Sequence, residues 1–142
     1  MTAIAIFVKT PGLSPIKTRL GQSIGEALAE TWHQQAALAV AEVAQQANIG
    51  PVYWAVAEPQ GKDSPLWSGH ERLIQPKGAL GQRMSKVHAQ LIERHGGGIL
   101  LGADTPQLTA EELRMAHAWL ETPHPRQVIG PARDGGFWFY GA

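Results

Sequence analysis

Apolar residues are distributed along this chain in two alternating rhythms. Short unbroken runs, A-I-A-I-F-V at Ala3–Val8 and V-Y-W-A-V-A at 52–57, alternate with longer stretches in which apolar residues recur every three or four positions. An unbroken apolar run bounded by turn residues predicts a strand buried on both faces, and the longer period predicts an amphipathic helix. Ile24, Leu28, Trp32, Ala36, Val40, Val43 and Ala47 form the first such stripe. Ser23 with Glu26 predicts its capping box, and the sequence Asn48-Ile49-Gly50-Pro51 stops it. Residues 58–69, rich in Pro, Gly, Ser and Asp, read as loop, with Trp67 turned back onto the core.

The second half repeats the pattern. Residues 72–75 predict a short edge strand, and Leu80, Met84, Val87 and Leu91 mark a helix running to about His95 and capped by Gly96-Gly97-Gly98. A strand at 99–102 follows. Thr109 with Glu112 predicts a second capping box, ahead of a helix whose inner stripe is Leu113, Ala116, His117 and Leu120. Residues 127–129 and the aromatic run 137–140 predict two last strands. Strands alternating with helices in this order predict one α/β domain over residues 1–142, with a mostly parallel central sheet in a three-layer α/β/α arrangement. The large rings of 137–140, two residues before the end, predict a domain that lacks its C-terminal part.

Composition narrows the function without naming it. Hydrophobic residues at 44% and charged residues at 17% fit a globular domain, and twelve basic residues balance twelve acidic ones. No global field therefore favours nucleic acid or an anionic membrane. The absence of cysteine excludes disulfides, thiolate catalysis and cysteine-ligated metal sites. No apolar run has the length of a membrane span, and residues 1–8 lack the marks of a signal peptide, so the expected location is cytoplasmic.

Chemistry is expected where parallel strands end, since ligands bind open α/β sheets at the carboxyl edge. The first strand delivers Lys9 and a loop with Lys17 and Arg19; the fourth delivers Asp104, and the strand at 127–129 leads to Asp134-Gly135-Gly136. Cations beside two carboxylates suit a nucleotide diphosphate bound with a hard divalent ion such as Mg²⁺ or Mn²⁺. Taken singly, each feature has a simpler meaning: Asp104 before Thr105-Pro106 is a turn or cap residue, Asp134-Gly135 a hairpin turn, and Lys17 with Arg19 a solvated face. The six histidines show no metal-binding spacing. Residues 12–18, G-L-S-P-I-K-T, imitate a phosphate-binding loop but have Ile16 for its second glycine and Pro15 where an amide is needed. G-x-G-x-x-G does not occur.

Four blocks together carry a resemblance: F-V-K-T-P-G-L-S-P-I-K-T-R-L at 7–20, Q-P-K-G-A-L-G-Q-R-M at 75–84, L-L-G-A-D-T-P-Q-L-T at 100–109 and G-P-A-R-D-G-G-F at 130–137. The chain resembles the glycosyltransferase group, once listed as a domain of unknown function, of the GT-A-like nucleotide-diphospho-sugar transferase superfamily. It is more distantly similar to the molybdopterin-guanine and phospholactate guanylyltransferases. The resemblance implies a metal-dependent transferase acting on an activated nucleotide donor, a nucleotide sugar in the first instance. Nucleotidyl transfer to a small phosphorylated acceptor and a catalytically inactive nucleotide-binding module are the alternatives. It implies that Lys9, Lys17 and Arg19 contact phosphates, that Gly81 and Arg83 approach the donor from the second block, and that Asp104 holds the metal. Asp134 becomes the candidate catalytic carboxylate, with Gly135 and Gly136 shaping the acceptor side. Ala79 stands where the second block usually carries an acidic residue. The implied partners are a nucleotide sugar or nucleoside triphosphate and a small-molecule acceptor, with homo-oligomer formation through an open sheet edge as a further expectation.

Overall fold

The computed structural model describes residues 2–10, 25–103, 108–120, 128–131 and 137–141, and at residues 26 and 27 and in the last two strands it describes the backbone. The elements follow the order β1 (Ala3–Val8), α1 (Glu26–Ala47), β2 (Val52–Val56), β3 (Glu71–Ile74), α2 (Leu80–His95), β4 (Gly98–Gly102), α3 (Ala110–Leu120), β5 (Val128–Pro131) and β6 (Phe137–Gly141). Two short 3₁₀ turns, Pro59–Asp63 and Pro65–Trp67, occupy the loop after β2.

The strands form one sheet in the order β3-β2-β1-β4-β6-β5. β3, β2, β1 and β4 run parallel, and β6 is antiparallel to both β4 and β5. Val8, Val56 and Ile74, the last residues of their strands, stand level, and Gly102 lies one step short of them beside Phe7. The carboxyl ends of four parallel strands thus make one rim. β5 runs parallel to β4, so its carboxyl end and the start of β6 face that rim too.

Alternation along the strands sorts the core into two layers. Ile4, Ile6, Val8, Trp54, Val56, Ile99 and Leu101 pack with Ala37, Val40 and Ala44 of α1 and Leu113 and Ala116 of α3. Ala3, Ala5, Tyr53, Ala55, Leu73 and Leu100 pack on the other face with Val87 and Leu91 of α2. Trp67 is fully buried against Trp54, ring centroids 4.9 Å apart. Among the described residues no helix is long and apolar enough to cross a membrane.

The helix ends follow their sequence signals with one exception. Thr109 and Glu112 form the expected capping box, Glu112 N donating to Thr109 Oγ1 at 3.2 Å and Thr109 N to Glu112 Oε1 at 3.2 Å. Asn48 ends α1 and Gly96 ends α2, both in the left-handed region that terminates helices. α1, however, starts at Glu26 with Gly25 as its N-cap and no side-chain cap hydrogen bond; Ser23, expected to cap it, lies outside the described residues.

The inner stripe of α1 also differs from its prediction. Ala36, Val40 and Ala47 are buried as expected, but Leu28 is 60% and Trp32 42% exposed, while Ala29 and His33 face inward. His33 Nε2 accepts a hydrogen bond from Lys9 N at 3.3 Å, which gives the inward-facing imidazole a polar partner beside β1. Leu80 is likewise exposed, being the first residue of α2, beyond the turn at which that helix reaches the sheet.

Candidate functional site

The rim is built from what each parallel strand presents as it ends. β1 ends in Lys9 and Thr10. Lys9 is exposed and Thr10 buried, and their backbone amides are both taken up by side chains from elsewhere. Lys9 N donates to His33, and Thr10 N donates to both oxygens of Glu58, at 3.0 and 3.2 Å. Glu58 follows β2 and is only 6% exposed. Trp67 Nε1 donates to Thr10 Oγ1 at 3.0 Å, so Thr10 is fixed through its backbone and its side chain. Gly61 closes the cluster. A Cβ there would collide with Thr10 Oγ1 and come within 2.8 Å of Val56 Cγ1 and 2.9 Å of Glu58 Oε1. Arg72 ties the loop down by donating to the carbonyls of Trp67 and Lys62.

β3 ends in Gln75, which continues the ladder by donating its N–H to Val56 O at 2.8 Å. Its buried side chain donates from Nε2 to Ala55 O at 2.8 Å and accepts at Oε1 from Arg83 Nη1 at 2.6 Å. Arg83 stands one turn into α2. That helix begins with half a capping box: Gln82 Oε1 accepts from Ala79 N at 3.3 Å, but Ala79 has no side chain to return the bond. Gly81 is exposed, and a Cβ on it would meet nothing within 4 Å. The fold therefore leaves open space at Gly81 and does not itself require a glycine there.

The described site residues Lys9, Gly81 and Arg83 all belong to the carboxyl rim, on β1 and at the start of α2. Lys17, Arg19, Asp104, Asp134, Gly135 and Gly136 lie outside the described residues. The flanking elements run in the expected directions: β4 reaches the rim at Gly102, and β5 and β6 pair on either side of the connection that contains Asp134. Among the described residues no group of three His, Cys, Asp or Glu could hold a metal ion. Glu58, a described carboxylate of the rim, has both oxygens in contact with Thr10 N.

Four of the described histidines have named partners within the fold. His33 holds Lys9 N, His95 bonds Tyr53 Oη at 2.7 Å, and His117 Nδ1 bonds Thr2 Oγ1 at 2.7 Å. His70 sits edge-on to Trp54 at 5.7 Å, and partial burial lowers its pKa below the usual 6.5 by penalising the charged ring.

Sequence reasoning missed Thr10, Glu58 and Gln75. The signal that singled out Asp104, a polar residue closing an apolar run, was equally present at Glu58 after residues 52–57; before Gln75 it is reduced to Leu73 and Ile74.

Comparison with known proteins places this architecture. A solved structure named "putative nucleotide-diphospho-sugar transferase", from Desulfovibrio desulfuricans G20, matches with a TM-score of 0.86 and 25% identity, over 99% of this chain and 62% of that one. CMP:2-keto-3-deoxy-manno-octonic acid synthetase, solved in complex with CTP, matches in fold with a TM-score of 0.59 and 15% identity, over 90% of this chain and 51% of that one. This chain thus spans less than two thirds of the length of either neighbour. No curated protein matches it. The family model described as "Uncharacterized protein conserved in bacteria (DUF2064)" matches residues 27–142, and the chain belongs to that family.

Proposed function

We propose that the carboxyl rim binds an activated nucleotide and that the chain forms the donor-binding part of a transferase, most directly one that moves a sugar from a nucleotide sugar to a small-molecule acceptor. The observation that carries this is the match of almost the whole chain to the Desulfovibrio protein named for that chemistry. The geometry is in keeping with it: Lys9 is exposed at the end of β1, and Arg83 is held at the start of α2 on the same rim.

In this reading Lys9, Lys17, Arg19 and Arg83 neutralise the donor's phosphates and stabilise the charge that grows on the diphosphate as it leaves. Gly81 gives the donor room beside α2. Asp134 is the candidate base that takes the acceptor's proton, and Gly135 and Gly136 let backbone come close to it. Asp104 is the proposed ligand of Mg²⁺ or Mn²⁺, which when bound would screen the diphosphate oxygens.

The test is a thermal-shift panel of nucleotide sugars and nucleoside triphosphates, with and without Mg²⁺ or Mn²⁺, on the wild type and Asp104→Ala. The expected result is a metal-dependent rise in Tm in the wild type that Asp104→Ala loses while its ligand-free Tm stays put. Binding unchanged in the variant removes Asp104 from the site, and no shift with any nucleotide overturns the reading. Assay of the product separates the two transfers, since glycosyl transfer releases a nucleoside diphosphate and nucleotidyl transfer releases pyrophosphate.

A further inference from the structure

We propose that Gln75 is a positioning residue, which aims the Arg83 guanidinium at the rim and leaves its charge free for a ligand phosphate. The inference rests on the nucleotide reading of the rim and assigns a role to a residue that does not touch the donor.

Three observations carry it. Gln75 is 6% exposed, and its amide can be oriented in one way only, because Nε2 must donate to Ala55 O for Oε1 to face Arg83. The amide is therefore a rigid bridge from the carboxyl end of β2 to Arg83 Nη1. Second, the partner it offers is neutral. Among the described residues the ion pair formed by an arginine is that of Arg114 with Glu111 on α3, and no described carboxylate pairs with Arg83. A glutamate at 75 would pair with the guanidinium and cancel its charge, and would give up the bond to Ala55 O; a glutamine holds the guanidinium and cancels nothing. Third, among the described residues Arg83 Nε is buried without a hydrogen-bond partner. A half-buried guanidinium bound at one nitrogen and unmatched at another is costly for the folded chain alone. The cost is understandable if the accessible side of this half-buried guanidinium meets an anion, for which the planar fork of arginine is well suited.

The experiment titrates inorganic pyrophosphate, UDP and GDP, each with Mg²⁺, into the full chain and into Gln75→Glu, Gln75→Met, Arg83→Gln and the Gln75→Glu/Arg83→Gln double variant, with Tm measured for each. Gln75→Glu is expected to weaken binding about tenfold or more, the scale of one lost charge-assisted hydrogen bond. Gln75→Met frees the guanidinium without neutralising it and is expected to weaken binding by a smaller factor, about threefold. In the Arg83→Gln background Gln75→Glu should add nothing, because its effect passes through Arg83. Equal losses in both backgrounds, or Gln75→Glu binding as well as Gln75→Met, overturn the inference and leave the nucleotide reading standing. So does an Arg83→Gln variant that binds like the wild type. A wild type that takes up none of the three probes fells both.

Discussion

At the scale of single residues, the cluster of Thr10, Glu58, Gly61 and Trp67 is where a small change should be felt most. A methyl group at Gly61 would press on Thr10 Oγ1 and Glu58 Oε1, both of which are fixed by other bonds. Gly61→Ala is therefore expected to destabilise the fold by about 1–3 kcal/mol, the usual cost of overpacking, measured as a lower midpoint in urea. An unchanged midpoint would mean that the loop after β2 yields easily. Glu58 was open to detection, since it closes an apolar run as Asp104 does, and Gln75 less so, since only Leu73 and Ile74 precede it. What the chain could not disclose was their partners. Thr10 lies 48 residues from Glu58, and Gln75 meets Ala55 only because β3 lies beside β2.

At the scale of elements, most of the fold could be read from the sequence. The strands β1 to β4, the capping box of α3 and the glycine end of α2 follow local rules, and the structure has them where the rules put them. α1 shows why local rules run out. Its period is right, but its first turns are rotated from the prediction: Ala29 and His33 face inward in place of Leu28 and Trp32, and the inward imidazole accepts a hydrogen bond from Lys9 N. Periodicity weighs hydrophobic bulk and does not see a polar partner across the fold. α2 offers a prediction at this scale. Gly81 is exposed within the helix and costs helix stability, and its Cβ direction is empty. Gly81→Ala is expected to raise stability by about 0.5–1 kcal/mol. If the donor approaches here, the same variant should bind nucleotide more weakly, so a stabilised protein with unimpaired binding would remove Gly81 from the site.

At the scale of the whole molecule, the sheet order brings four parallel strand ends to one rim while β6 enters antiparallel between β4 and β5. That order was not readable from the chain, because the strands themselves do not state which neighbours they choose. Global stability should also carry the mark of His70. Its pKa is lowered in the folded state, so the unfolded chain binds more protons around and below pH 6.5. Its contribution is therefore complete above that pH and is lost as pH falls toward the lower folded value. Tm should decline on acidification from pH 7 to 5, and His70→Gln should flatten that decline. An identical slope in the variant would trace the decline to other groups.

The amides at the end of β1 set how a ligand can be held there. With Lys9 N and Thr10 N given to His33 and Glu58, an anion beside these two residues meets no fixed backbone dipoles from them, and the exposed Lys9 ammonium becomes what that strand end contributes. Attraction of that kind reaches farther than a hydrogen-bonded cradle and is easily screened, fading as the Debye length shrinks from about 10 Å at 0.1 M salt to about 3 Å at 1 M. Occupancy of this end of the rim is thereby tied to the ionic strength around it.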